Sequence, residues 1–174
     1  MNAYQFGHLM IAALIAVPLV YAAAAKVMSP RSFSDALPRL RLPLPSATGT
    51  AFIVAIAELT LAGLILVIAR WESAVAGALA FIAFAWLLER AMRAGATGDC
   101  GCFGALPGKI GRAAVIRNIV LAIGALALAG ARSLAVLPVY PTHLGIPLLV
   151  GLFIGAAVLD TLVEVRQSAK RGRA

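Results

Sequence analysis

The chain has 174 residues, of which 62% are hydrophobic and 13% charged, whereas soluble domains run at about 45–50% apolar. So few polar residues cannot cover an 18.0 kDa globule, which excludes a soluble enzyme, a disordered chain and a coiled coil. The net charge of +8 carries no basic run interleaved with aromatics, so it is read as membrane topology, with no nucleic-acid partner.

A membrane-spanning helix takes about 20 apolar residues, and the sequence offers five such runs. The first is 9–25, closed by Lys26. Ala22–Ala25 offer small residues for signal cleavage, but residues 1–8 lack the Lys or Arg of a signal n-region. It is therefore read as a retained span. Residues 28–46 follow, with Pro30, Pro38, Pro43 and Pro45. Two readings compete there. Alternation of Arg39, Leu40, Arg41 and Leu42 suits a short amphipathic surface piece; the prolines favour an extended loop, which is the expectation.

The second run is 47–69, with Glu58 near its middle. The third is 71–88, entered through the short Arg70–Glu72 turn. Residues 90–112 form a long Gly-rich connection holding both cysteines. The fourth run is 113–131, with Arg117 in its first turns, and the fifth is 144–165, with Asp160 and Glu164 near its end. The expected fold is all-α: a polytopic transmembrane helical bundle with a four-helix core and a fifth C-terminal span, in a single domain over 1–174. Gly151 and Gly155 form a small-xxx-small pattern, expected to pack in the core.

Charge gives an orientation. With five spans, one side carries Lys26, Arg31, Arg39, Arg41, Arg90, Arg93, Lys109, Arg112, Arg166, Lys170, Arg171 and Arg173. The other carries Arg70 and Arg132. The positive-inside rule then places the N-terminus outside and the C-terminus and the cysteine loop in the cytoplasm. The expected location is a bacterial-type inner membrane.

The chemistry-bearing motif is Asp99-Cys100-Gly101-Cys102-Phe103-Gly104. The two cysteines of the chain stand two residues apart in a polar loop. Cysteines scattered without function usually fall in apolar helices as small hydrophobes. Three chemistries suit the pair, beside a mere packing role. A redox dithiol fits best: Arg90, Arg93, Lys109 and Arg112 favour a thiolate, with Asp99 opposing. Gly101 and Gly104 let the backbone turn and a partner approach. A bridge between such near neighbours closes a strained, readily exchanged ring. Metal binding is disfavoured, because two thiolates fill half a tetrahedral zinc site and His8 and His143 fall on the opposite side. A static disulfide is disfavoured by the same strain. His8 and His143 read as interfacial.

Glu58 is the other candidate. A carboxylate inside a span is costly and is paired or functional. It is either a proton relay beside the dithiol or a structural partner of Arg117 or of a snorkelling cation such as Lys26. Asp160 and Glu164 read as surface pairing residues near the basic side.

These residues carry a family resemblance. The motif from Asp99 to Gly104 resembles that of MauE-type proteins in the wider MauE/DoxX group of redox-associated membrane proteins. Ala25-Lys26-Val27-Met28-Ser29-Pro30 is similar to the group's first helix exit, and Ala57-Glu58-Leu59 with Ala62-Gly63 to its second span. The resemblance covers about the first 130 residues. It implies a four-helix membrane core and thiol redox with a thioredoxin-like partner, in maturation of a methylamine dehydrogenase-type enzyme. Cys100 and Cys102 match the motif cysteines. The implied disulfide work lies on the outer side; a re-entrant loop or electron entry from cytosolic thiols would connect it to the charge count. A quinone acceptor follows by analogy with other membrane thiol oxidoreductases, without a residue to mark it.

The leading expectation is thus a membrane thiol–disulfide oxidoreductase acting through Cys100 and Cys102, supported by Asp99, Gly101, Phe103, Gly104 and Glu58. Its alternatives are a non-catalytic scaffold for a redox complex and, more remotely, a small transporter coupled through Glu58.

Overall fold

A computed structural model describes residues 3–38, 47–98, 110–134 and 142–171. The described residues form helices and no strand. In chain order these are α1 (Ala3–Met28), α2 (Pro30–Ala36), α3 (Ala47–Gly63), a π-helical turn (Leu64–Ile68) that continues α3, α4 (Trp71–Arg93), α5 (Arg112–Leu134) and α6 (Thr142–Arg171). Among the described residues, four stretches are long and apolar enough to cross a membrane: Gln5–Met28, Thr48–Ile68, Trp71–Arg93 and Arg112–Leu134. Ile53, Ile56, Leu79, Ile82, Val120 and Ile123 are exposed on their outer faces. So broad an apolar exterior suits lipid and not water.

α1 is the central helix. Every residue from Leu19 to Lys26 is buried, so at that level the helix is enclosed on all sides. Ala22–Ala25 make this possible, because small side chains let neighbouring backbones approach. Ala16 and Leu19 share one core with Ala62, Ile65 and Leu66 of the second span, with Ala74, Ala78 and Phe81 of α4, and with Ala122, Ala125 and Leu128 of α5. α4 and α5 form the most closely packed pair.

Several expectations change. The first, third and fourth spans run past their predicted ends, while the second stops at Ile68; α4 continues to Arg93, where Glu89 and Arg93 pair across one turn at 2.9 Å. The segment expected to be an extended Pro-rich loop contains α2. Pro30 occupies its first turn, where the missing N–H costs nothing. Phe33 and Leu37 bury against Ala51 and Val54 of α3. Residues 39–46 lie outside the described ones. The fifth run does form a helix, but its apolar part is the shorter Ile146–Leu159, roughly 21 Å at 1.5 Å per residue. Gly151 and Gly155 do not pack in the core. Both are exposed, and a Cβ on either meets nothing within 4 Å. The helix instead packs through Leu148, Leu149, Leu152 and Phe153, the opposite stripe.

Direction follows from these contacts. Leu149 meets Gly63 near the π turn, and Ala156 meets Tyr21 further along. α6 therefore runs in the same direction as α1. The N-termini of α1 and α6 share one end of the bundle with the α3–α4 and α5–α6 connections. The other end holds α2 and the α4–α5 connection.

The π turn has a mechanical partner. It closes with Ala69 in the left-handed region at φ 54°, its N–H donating to the Leu64 carbonyl at 3.1 Å. A π turn inserts one extra residue and leaves carbonyls poorly matched. The Arg132 guanidinium donates to the Ile65 carbonyl at 3.0 Å and to the Arg70 carbonyl at 3.3 Å, tying α5 to the α3–α4 connection. Gly77 lets α4 approach the same turn: a Cβ there would lie 2.9 Å from Ile65 Cδ1.

This contact yields a contrast. Gly77→Leu should overpack the interface and cost about 1–3 kcal/mol, lowering the unfolding temperature in detergent by several degrees. Gly155→Leu, facing outward, should leave it unchanged. Circular dichroism melts of both variants check this.

Candidate functional site

Glu58 sits on α3 with its side chain buried, and its partner is Lys26 of α1. The ammonium lies 2.8 Å from Oε2 and 2.9 Å from Oε1. Lys26 is fully buried at 0% exposure and Glu58 at 5%. The ammonium also donates to the Ala22 carbonyl at 3.3 Å and stands 5.1 Å from the centroid of the Phe33 ring. Its three protons thus have two carboxylate oxygens and a carbonyl, and an aromatic face completes the shell. Three elements meet at this one cation: α1 supplies it, α3 neutralises it, and α2 covers it.

The sequence reading left Glu58 between a relay and a structural pair. The structure brings it to Lys26 and not to Arg117, which is exposed on α5. Phe33 was missed, since the proline-rich stretch did not announce a helix. A signal did exist: a lysine preceded by four alanines at the end of an apolar run has neighbours too small to keep another helix away.

The second component is the anchor of the cysteine segment. α4 ends in a full left-handed cap. Gly95 takes φ +76°, the Ala96 N–H donates to the Ala91 carbonyl at 3.0 Å, and the Gly95 N–H donates to the Met92 carbonyl at 2.9 Å. This is the Schellman arrangement, with glycine where a side chain would be strained. Ala96 then turns back onto Ala91, and Ile110 and Val115 join Leu88 and Ala114 in the same small cluster. The Ile110 N–H donates to the Gly98 carbonyl at 2.8 Å, so the chain leaves the bundle and returns to it at one point. Asp99, Cys100, Gly101, Cys102, Phe103 and Gly104 belong to residues 99–109, which lie outside the described ones. What is described is the closure that carries them, at the same end of the bundle as α2.

Asn118 of α5, which the sequence reading passed over, is buried one turn beyond Ala114 and donates to its carbonyl at 2.8 Å. At the opposite end, His8 has a buried Nε2 with no hydrogen-bond partner among the described residues. No group of three or more His, Cys, Asp or Glu that could hold a metal occurs among the described residues. The described helices of Asp160 and Glu164 do not include their side chains, and no pairing is assigned to them.

A family model described as methylamine utilisation protein MauE covers residues 5–132. That span holds three membrane-crossing stretches and all but the last two residues of the fourth, with Lys26, Glu58, the cysteine segment and Arg132; α6 lies beyond it. No curated protein and no solved structure matches the chain.

The ion pair makes a quantitative expectation. Lys26→Met leaves a carboxylate buried without its cation, which costs about 3–5 kcal/mol. The double variant Lys26→Met, Glu58→Leu removes both charges and should recover most of that loss. Yield and thermal unfolding of the three proteins in detergent check it; equal losses in the single and double variants would refute the pairing.

Proposed function

The chain belongs to the MauE family, and from that premise we propose that it is a thiol–disulfide exchange protein of the membrane, serving maturation linked to methylamine utilisation. The observation that carries this reading is the closure at Gly98 and Ile110. It pins both ends of the segment holding the chain's two cysteines to its most closely packed helix pair. Gly98 and Ile110 thus bracket the segment that holds Cys100 and Cys102 and fix where it leaves and rejoins the bundle, which suits exchange with a protein partner.

The proposed step runs as follows. A thiolate of a thioredoxin-like partner attacks one sulfur of a Cys100–Cys102 disulfide. That S–S bond breaks, a mixed disulfide forms, and the departing cysteine takes up a proton. The partner's second thiolate attacks the mixed disulfide and releases the chain as a dithiol. Two electrons and two protons have passed from partner to chain. The opposite flow uses the same steps in reverse. A quinone, reduced to quinol, is the class of acceptor that would restore the disulfide. Asp99 would accept or return a proton at the sulfurs, and Gly101 and Gly104 would leave the approach open, with Phe103 as the apolar contact of the loop.

Glu58 enters as a positioning residue. Its contacts satisfy Lys26 and leave the carboxylate committed to the lysine, which favours a structural pair over a relay. For orientation, the proposal keeps the N-terminus outside and the cysteine segment at the cytoplasmic face. The count of basic residues supports it: the sparse side carries Arg70 and Arg132, against twelve on the other.

Trapping separates exchange from scaffolding. Cys100→Ser or Cys102→Ser should accumulate a mixed disulfide with a thioredoxin-like protein, visible on non-reducing gels and lost on reduction. If neither variant traps a partner and both support maturation, the chain is a scaffold. An impermeant maleimide should label the cysteines in inverted vesicles and not in intact cells; the reverse result would invert the orientation.

A further inference from the structure

The last turns of α4 carry a feature that goes beyond the favourable charge Arg90 and Arg93 offer a thiolate. Leu79, Ile82, Trp86, Arg90 and Arg93 recur at spacings of three and four residues, and so lie along one helical stripe. All five are exposed. The stripe changes character along its length: aliphatic at Leu79 and Ile82, aromatic at Trp86, cationic at Arg90 and Arg93. The change falls at the end of a membrane-crossing stretch, Trp71–Arg93.

The cationic end is organised. Trp86, Glu89, Arg90 and Arg93 line a cavity of about 210 Å³. The Arg90 guanidinium stacks over the Trp86 ring, 5.6 Å from its centroid. Glu89 accepts from Arg93 Nε at 2.9 Å, which steadies the second guanidinium while its side chain remains 79% exposed. Among the described residues, one carboxylate against two guanidiniums gives the lining a net positive charge.

We propose that this stripe binds one anionic phospholipid. Its phosphate would sit between Arg90 and Arg93, whose planar forks suit phosphate oxygens. Its glycerol-ester region would lie at Trp86, the residue type that prefers that depth. Its acyl chains would run down Leu79 and Ile82. A free phosphate or an acidic peptide would use the arginines alone and would leave the aligned aliphatic half without a role; a lipid uses the whole stripe. Basic residues crowd this end of the bundle, where an anionic leaflet raises the local lipid concentration.

The test uses the full-length protein in neutral detergent, with phosphatidylglycerol, phosphatidylcholine or inorganic phosphate added, read by native mass spectrometry and by thermal stability. Phosphatidylglycerol should bind and raise the unfolding temperature, and phosphatidylcholine should not. The double variant Arg90→Gln, Arg93→Gln should weaken phosphatidylglycerol binding at least tenfold, and Trp86→Ala severalfold. Arg31→Gln, exposed at the same end of the bundle, should bind as the parent does. Equal binding by parent and double variant overturns the proposal. So does an equal loss in Arg31→Gln, which would mean a diffuse basic rim, or equally effective binding of inorganic phosphate, which would mean an anion site without a lipid. The readouts here are lipid binding and unfolding temperature and not thiol exchange, so a failure here leaves the thiol reading untouched.

Discussion

A full positive charge and a full negative charge lie inside this bundle where water does not reach them. Taking either one out of water alone would cost several kcal/mol or more. The fold therefore has to keep Lys26 and Glu58 together, and the rest of the arrangement respects that requirement. α1 and the second span must hold one register, because a shift of a single residue would turn the carboxylate away from the ammonium. Ala22–Ala25 bring the helix backbones close at the right height. α2 is drawn to the site because the Phe33 ring covers the one side of the ammonium that α1 and α3 leave open. A buried pair of this kind contributes little net stability and much specificity of arrangement.

The opposite end is fixed by different means. There a π turn, an alanine in the left-handed region and a glycine-permitted approach of α4 produce a compact connection. Arg132 gathers its carbonyls from across the bundle. The two ends thus share one device: a long cationic side chain satisfying groups on a neighbouring helix. At one end the acceptor is a carboxylate, and at the other it is the backbone. Between them runs a core of alanine, leucine and isoleucine. In lipid such a core gains from close van der Waals packing more than from excluding water, so small residues dominate it.

The cysteine segment profits from this rigidity. Its two ends are held by a left-handed cap on α4 and by the first residues before α5, joined through one hydrogen bond. The closest helix pair of the bundle therefore acts as its mount. The family match covers this mount and the ion pair together and stops before α6. The four-span unit is thus the part shared with the family, with α6 packed against its side.

The sequence by itself determined the class of fold, the four spans, the cysteine motif and the family, because hydropathy, charge and close spacing along the chain are one-dimensional properties. It placed Glu58 correctly as a buried problem and offered Arg117 or a cation such as Lys26 as its partner, without the means to choose. The solution is Lys26, which is thirty-two positions away, and only helix register brings the two together. Phe33 was hidden by prolines that promise a loop, although Pro30 in a first turn starts a helix as readily as it ends one. Gly151 and Gly155 show the converse error. Their spacing signals a close-packed face, but spacing does not reveal which face of α6 meets the bundle, and the helix turned its leucine stripe inward instead. Burial, partner and facing are relations between elements. They were decided by tertiary packing, because only there does each helix acquire an inside.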